Sequence, residues 1–185
     1  VEGGFVVAKD PAVSEKMEWM RRFGHKGFEE FHGVGTNAKM SEFHAAMGLC
    51  NLNHIDEILT KRMTICEAYD QALFSHQPSA ISHQLSSIVY RAGSSRNYAY
   101  YPLLLKSEAA LLAVVAKLQA IGVFPRRYFY PALDQVPELT EGRRHCSVVS
   151  DVSKAILCLP LSDSMDAAIL EQICSTITQT LRGGK

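Results

Sequence analysis

Two stretches of the sequence carry residue types that can bind a small anionic molecule, and the first runs from Gly35 to Gly48. A glycine-containing loop with Asn37 and Ser41 leads there into a helix-like segment of small residues. Backbone N–H groups at the start of a helix, together with such polar side chains, can hold a phosphate. The same pattern is also typical of a capped helix in close contact with another helix, and both interpretations stay open on these residues alone.

The second stretch is the basic and aromatic run Arg126-Arg127-Tyr128-Phe129-Tyr130-Pro131. Guanidinium groups bind phosphates through paired N–H donors and stack on aromatic rings. The run therefore indicates an edge that contacts a small anionic molecule. The alternative is an interface strand whose arginines extend their apolar stems along the protein surface.

Other kinds of site find no support in the sequence. His44 stands alone on its predicted helix, and none of the seven histidines pairs with another at metal-ligand spacing near carboxylates, so we expect no metal site. Nucleotide-binding glycine loops and a hydrolase nucleophile elbow are absent. The five cysteines form no C-x-x-C pair, which favours reduced, mostly apolar packing in a cytoplasmic protein: Cys50, Cys66, Cys146, Cys158 and Cys174.

The charge balance and the length of the apolar runs argue against nucleic acids and membranes as partners. The 185 residues contain 19 Lys plus Arg and 19 Asp plus Glu, so the formal net charge is zero. A nucleic-acid-binding domain usually has a basic excess, and we expect no nucleic acid partner. The longest uninterrupted apolar run, 109–116, is far shorter than the ~20 residues of a membrane helix, so no membrane partner is expected.

In the first part of the chain, the pattern predicts a strand over Phe5–Ala8 and a helix that begins at Asp10-Pro11 and stops at Gly24. Residues 25–35 are predicted to form a loop. Ser41 starts a second helix, and a break near Asn53 separates it from a third that reaches Phe74.

In the second part, strands are predicted over 88–91 and 97–105 as a hairpin, over 123–124 and over 156–159. Helices are predicted from Ser107 to Gly122, over 148–155, and from a cap at Ser162 or Ser164 to the C-terminal region. The polar stretch 76–87 is the predicted domain boundary. Alternating strands and helices indicate an α/β or α+β class.

Several of these segments together resemble one family, the DegT/StrS-type nucleotide-sugar aminotransferases. The matching motifs are Glu2-Gly-Gly-Phe-Val-Val, Gly35-x-Asn37-x-Lys39-Met40-x-Glu42-x-x-Ala45-Ala46-x-Gly48, Arg62 with Tyr69, Gly122-Val123 with the tyrosines before Pro131, and Ile156-Leu-Cys-Leu-Pro160. The resemblance implies the C-terminal part of a fold type I, pyridoxal-phosphate-dependent α/β transferase. It implies a remnant of the large cofactor-binding domain over 1–75 and a complete small α+β domain over 76–185.

The resemblance also implies roles for individual residues. Asn37 matches the asparagine that reaches across a dimer to the partner's pyridoxal 5'-phosphate. Tyr128 falls where the family has a His or Tyr near the sugar ring, and Arg126 and Arg127 would face the pyrophosphate of the nucleotide sugar. The implied reaction moves an amino group from an amino acid, commonly glutamate, to a keto group of a dTDP-linked deoxy sugar.

The family's Schiff-base lysine lies a few residues before the Glu-Gly-Gly turn, and neither Lys9 nor Lys39 matches it. We therefore expect no catalytic residue within this chain and no activity from the chain alone. Two hypotheses remain. The chain is the C-terminal part of an aminotransferase, or it is a catalytically inactive remnant that serves as a dimerising or interaction module. A homodimer or a domain-swapped oligomer is expected in either case.

Overall fold

The structure is a computed structural model that describes residues 2–75, 81, 83–140 and 146–183. The chain divides into two compact units, Val1–Asp56 and Glu57–Lys185. The domain boundary that the sequence predicts, between residues 75 and 76, refers to the domains of a complete enzyme and stays a prediction. Residues 76–80 and 82 of the polar stretch 76–87 lie outside the described part of the chain.

The first unit contains helix α1 (Pro11–Met20), strands β1 (His25–Lys26) and β2 (Glu30–Phe31), and helix α2 (Glu42–Leu52). The predicted start of α1 is confirmed, because the Asp10 side chain accepts a hydrogen bond of 2.8 Å from the Ala12 N–H and Pro11 occupies the first turn. Ser41 caps α2 as predicted. The prediction of a plain loop over 25–35 is wrong, since β1 and β2 pair there as an antiparallel hairpin.

The predicted strand over Phe5–Ala8 is also wrong in this structure. Residues 2–7 have no regular secondary structure, and the side chains of Phe5, Val6 and Val7 are 73%, 75% and 81% exposed. An apolar, β-branched segment becomes a strand only when a neighbouring strand accepts its backbone hydrogen bonds. The described residues of the first unit provide no such neighbour for this segment.

Helix α3 (Ile55–Phe74) follows α2, so the predicted break near Asn53 is confirmed. The buried residues of α3 lie in its second half and include Cys66, Tyr69 and Leu73. The Tyr69 hydroxyl donates a 3.0 Å hydrogen bond to the Pro160 carbonyl, and burial raises the pKa of Tyr69. Tyr69 is therefore a neutral, hydrogen-bonded core residue.

The second unit is built on a three-stranded antiparallel sheet in the order β3 (Leu85–Ser87), β4 (Tyr101–Leu105), β5 (Ile156–Leu159). The predicted hairpin is confirmed in type, but its first strand is 85–87 rather than 88–91, and its second is shorter than 97–105. The alternation of buried Tyr101, Leu103 and Leu105 in β4 fixes this register, because Leu85 is buried opposite Leu105. β5 is confirmed as predicted.

Helices α4 (Glu108–Ala120), α6 (Ser147–Ala155) and α7 (Ala167–Gly183) accompany this sheet, with a 3₁₀ turn (Leu133–Gln135) and the short helix α5 (Pro137–Thr140) between α4 and α6. The caps of α4 agree with the sequence, since the Ser107 side chain accepts from the Ala110 N–H. The cap predicted at Ser162 or Ser164 is wrong. Asp166 takes that role in α7, where its carboxylate accepts from the Ile169 N–H at 2.8 Å.

The core of the second unit is apolar and contains three of the five cysteines. Its fully buried large side chains are Tyr69, Leu73, Ile81, Leu103, Leu111, Leu118, Leu157, Ile173 and Ile177. Cys66, Cys158 and Cys174 are buried free thiols, and burial raises the pKa of Cys174 to about 12. These three therefore pack as small apolar side chains, as predicted. Among the described helices, none has the length and apolar character to cross a membrane.

Candidate functional site

Asn37 is held by backbone pairing between two segments of the first unit. Residues 36–38 run antiparallel to the turn that ends α1, with hydrogen bonds from Phe23 N–H to Thr36 O (3.1 Å), Thr36 N–H to Met20 O (2.8 Å) and Ala38 N–H to Arg21 O (3.0 Å). Arg22 and Asn37 face each other in an isolated antiparallel bridge. The position of Asn37 is thus set by the end of α1, not by the helix α2 that follows it.

Two glycines permit this close approach. A Cβ at Gly24 would lie 1.9 Å from the Gly33 carbonyl oxygen, and Gly24 also has a φ of +87°. A Cβ at Gly35 would lie 2.1 Å from the Gly24 nitrogen. Any other residue at either position would force the two segments apart, because real Cβ contacts are never this short. Gly24, which the sequence predicts only as a helix stop, therefore also shapes the support of Asn37.

The side chain of Asn37 lies beside a cation on the surface. Lys39 Nζ donates a 2.6 Å hydrogen bond to Asn37 Oδ1, and the same ammonium stands 4.2 Å from the centroid of the Phe23 ring. Both Asn37 and Lys39 are exposed. With Oδ1 engaged as an acceptor, the amide group keeps its N–H donors next to a positive charge, which is a donor set suited to an anion.

Ser41 and His44, which neighbour this site in sequence, are engaged with each other. Ser41 Oγ lies 2.5 Å from His44 Nδ1 and accepts from the His44 N–H at 3.4 Å. These contacts are those of a helix cap. Ser41 and His44 therefore belong to the capped-helix interpretation. Of the two side chains in the phosphate interpretation, Asn37 and Ser41, only Asn37 lies outside the cap, and Lys39 stands beside it.

Arg126 and Tyr128 come together in the second unit. Arg126 pairs with Cys158 of β5 through backbone hydrogen bonds of 3.1 and 2.8 Å, which replaces the predicted strand over 123–124. Arg126 Nη1 donates to the Tyr128 hydroxyl, and the Tyr128 ring meets Tyr100 edge-on with centroids 5.3 Å apart. The Arg126 guanidinium and the Tyr128 hydroxyl are thus fixed relative to each other, and the backbone pairing with β5 anchors Arg126 at the edge of the sheet.

A cavity of 220 Å³ opens beside this pair. Its walls include Tyr100, Phe124, Arg126, Tyr128 and Leu161. The lining thus combines one guanidinium, two phenol groups and apolar side chains, as small-molecule sites do. The cavity volume is below the ~300 Å³ at which pockets for drug-sized ligands start. The patterns in the sequence do not single out Tyr100. The aromatic run that precedes β4 was the signal that could have found it.

Arg127 has a different environment from Arg126. Its Nη2 donates to Glu108 Oε1 at 2.7 Å and to the Lys154 carbonyl at 3.3 Å, and its guanidinium carbon lies 3.5 Å from the centroid of the Tyr130 ring. The hydrogen bond from Arg127 lowers the pKa of Glu108. Arg127 therefore ties its loop to α4 and α6, and the prediction that it faces a pyrophosphate stays a prediction.

The sequence-predicted residues fall into separate units. Asn37 belongs to the first compact unit, whereas Arg126, Arg127 and Tyr128 belong to the second. Within the described ranges, no group of three or more His, Cys, Asp or Glu side chains is arranged to hold a metal ion.

Comparison with known proteins gives a consistent result. A model of the DegT/DnrJ/EryC1/StrS aminotransferase family matches residues 1–178. The chain is 32% identical over 183 residues to a dTDP-4-amino-4,6-dideoxy-D-glucose transaminase of Shigella dysenteriae, covering 96% of this chain and 48% of that protein. It is 26% identical over 188 residues to the Escherichia coli transaminase of the same name, with coverages of 98% and 48%. The chain thus spans about half the length of these curated relatives.

Solved structures show the same partial match. The aminotransferase TlmJ from Streptoalloteichus hindustanus matches with a TM-score of 0.78 at 20% identity, covering 96% of this chain and 47% of that one. DesV from S. venezuelae matches with a TM-score of 0.83 at 15% identity, with coverages of 97% and 47%. The predicted fold class, part of a fold type I α/β transferase, is confirmed by this similarity.

Proposed function

The chain belongs to the DegT/DnrJ/EryC1/StrS aminotransferase family, and we propose that it is the C-terminal part of a pyridoxal-phosphate-dependent sugar aminotransferase. The complete enzyme would transfer an amino group from an amino acid, glutamate, to a keto group of a dTDP-linked deoxy sugar. The observation that carries this proposal is the family match over residues 1–178. The names of the Shigella and Escherichia relatives support the dTDP-sugar as the acceptor class.

The donors around Asn37 fit the phosphate of the cofactor. The Asn37 amide and the Lys39 ammonium are adjacent, exposed and free of carboxylate partners among the described contacts. Such donors bind a phosphate through charge-assisted hydrogen bonds. Pyridoxal phosphate, when bound, supplies an electron sink for the reacting carbon. This chain contributes Asn37 and Lys39 to hold its anionic end.

Arg126 and Tyr128 suit the substrate in the same proposal. The Arg126 guanidinium is exposed beside the 220 Å³ cavity and can pair with a pyrophosphate oxygen, while the Tyr128 ring and hydroxyl offer one apolar and one polar surface to a sugar. Because Arg126 donates to the Tyr128 hydroxyl, the two groups would be oriented before the substrate arrives. Arg127 would hold the loop in place through Glu108.

Amino transfer by the complete enzyme tests the proposal. We expect a dTDP-4-keto-6-deoxyhexose and L-glutamate to give the amino sugar and 2-oxoglutarate in equal amounts, measured by chromatography of both products. The 185-residue chain alone, supplied with pyridoxal phosphate, is the matched control and is expected to give neither product. A complete enzyme that binds the cofactor but aminates no keto sugar would contradict the proposal.

A homodimer is the proposed assembly, and the exposure of apolar side chains in the first unit supports it. Of the described residues 2–56, only Gly24 is buried, and neither α1 nor α2 has a buried residue. Large apolar side chains are instead exposed, among them Phe5, Phe43 and Leu49. Folded proteins rarely leave so many large apolar side chains uncovered, so a second chain or the remainder of the complete enzyme would cover them.

Light scattering after size-exclusion chromatography checks this expectation on the 185-residue chain. At micromolar concentration we expect a mass of at least two chains and little monomer, because the exposed apolar groups of the first unit drive association. Replacing Phe43 and Leu49 together by glutamine should shift the population toward monomer, whereas replacing the exposed Val89 of the second unit should not. A folded chain that elutes only as a monomer would contradict the proposed assembly.

A further inference from the structure

A second cavity of the second unit lies apart from Arg126 and Tyr128. It measures 480 Å³ and opens between α3 and the segment that leads from β3 to β4. Glu67, Asp70, Phe74, Tyr90 and Arg96 line it. It shares no lining residue with the cavity at Arg126, and its size falls within the ~300–1,000 Å³ of small-molecule sites.

Arg96 presents a pre-positioned cation in this cavity. Its guanidinium carbon lies 4.5 Å from the centroid of the Tyr90 ring and 5.1 Å from that of Tyr98. Its Nε is buried and has no hydrogen-bond partner within the described part of the chain. Two aromatic rings thus hold the planar guanidinium in place, and a guanidinium stacked in this way can recognise a carboxylate.

Asp70 stands opposite Arg96 and is fixed from the other side. The buried Tyr101 hydroxyl donates to Asp70 Oδ1 at 2.7 Å, and burial together with this hydrogen bond raises the pKa of Tyr101, so the phenol remains a donor. Asp70 Oδ2 lies 3.9 Å from Arg96 Nη1. That separation exceeds the 2.7–3.2 Å of an N–H···O hydrogen bond, so the two groups form a loose ion pair without a direct hydrogen bond.

We propose that this cavity binds the head group of a free α-amino acid. The carboxylate of the ligand pairs with the Arg96 fork, and its ammonium pairs with Asp70 Oδ2. The two charged groups of an α-amino acid are joined through one carbon, so they can bridge opposite protein charges that stand 3.9 Å apart. A simple anion or a simple amine would satisfy only one of the two.

The remaining lining selects the side chain of the ligand. Phe74, Ile88, Tyr90 and Pro102 provide an apolar wall beyond the charged pair. Glu67 adds a second negative charge one turn before Asp70 on α3, which disfavours an acidic side chain. The cavity therefore suits an apolar or aromatic amino acid and is distinct from any site for the proposed donor glutamate.

Isothermal titration calorimetry of the 185-residue chain with L-phenylalanine tests this inference without pyridoxal phosphate. We expect saturable binding to one site per chain. 3-Phenylpropanoate, which lacks the ammonium, 2-phenylethylamine, which lacks the carboxylate, and L-glutamate should each bind at least tenfold more weakly. Since no cofactor or sugar is present, failure here would leave the proposed aminotransferase function untouched.

Variants assign the binding to the named charges. Arg96→Gln should weaken phenylalanine binding by about tenfold or more. Asp70→Asn should weaken phenylalanine binding, because the ammonium contact is lost, but it should not weaken the binding of 3-phenylpropanoate, which has no ammonium. Arg91→Gln, which changes an exposed residue of the same loop, is the matched control.

Far-UV circular dichroism verifies that each variant is folded. Arg96→Lys, which keeps the positive charge but lacks the guanidinium, replaces Arg96→Gln if that variant unfolds. Absence of phenylalanine binding by the folded chain, or equal affinity of a folded Arg96 variant, would overturn the proposal.

Discussion

Replacing Asn37 by alanine in the complete enzyme is expected to weaken the retention of pyridoxal phosphate by about 10- to 150-fold. Under the proposed function, the substitution would remove one charge-assisted hydrogen bond to a phosphate, and such a bond is worth about 1.5–3 kcal/mol. Folding should change little, since Asn37 is exposed and its paired backbone is retained. Equilibrium dialysis against the cofactor, combined with thermal unfolding of the apoenzyme, measures both quantities.

Two further variants sharpen the assignment of Asn37. Thr36→Ala alters the neighbouring exposed side chain but keeps the backbone hydrogen bonds of residue 36 to Met20 and Phe23, so it should bind the cofactor normally. Lys39→Gln removes the adjacent charge and should weaken binding less than Asn37→Ala if the amide makes the direct contact. If Asn37→Ala retains the cofactor fully but melts at a lower temperature, Asn37 contributes only to the folding of the first unit.

Local signals in the sequence predicted the helices well, because the groups that end a helix lie next to it in the chain. Asp10-Pro11 and Ser107 cap α1 and α4 through hydrogen bonds that span two or three residues. The cap of α7 is the exception. Three residues before this helix, Ser162, Ser164 and Asp166, can all act as caps, and Asp166 takes the role because it stands closest to the first helical turn.

Features that depend on distant partners could not be predicted in the same way. Phe5–Ala8 has the composition of a strand, yet a strand requires a neighbour, and the pattern of one segment does not contain its neighbour. Likewise, Arg126 and Arg127 are adjacent and chemically identical in the sequence. Only the fold places Glu108 beside one of them and a cavity beside the other.

Because their environments differ, Arg126 and Arg127 are expected to differ in their effects on substrate binding and on stability. In the complete enzyme, Arg126→Ala is expected to lower kcat/KM for the nucleotide sugar by about 10- to 150-fold, chiefly through a higher KM, because the proposed charge-assisted contact to the pyrophosphate would be lost. KM for glutamate should stay the same. Thermal stability should change little, since Arg126 is exposed and its backbone pairing with Cys158 is retained.

Arg127→Ala is the matched variant, and it should act on stability instead. Losing the hydrogen bond to Glu108 should lower the melting temperature at neutral pH. The pKa of Glu108 is lowered in the folded protein, so the contribution of this pair is present above the ordinary pKa of a glutamate and is lost as the pH falls through the lowered value. The difference in melting temperature between the parent and Arg127→Ala should therefore become smaller in acid.

A larger rise in KM for the nucleotide sugar in Arg127→Ala than in Arg126→Ala, without loss of stability, would instead assign the pyrophosphate contact to Arg127.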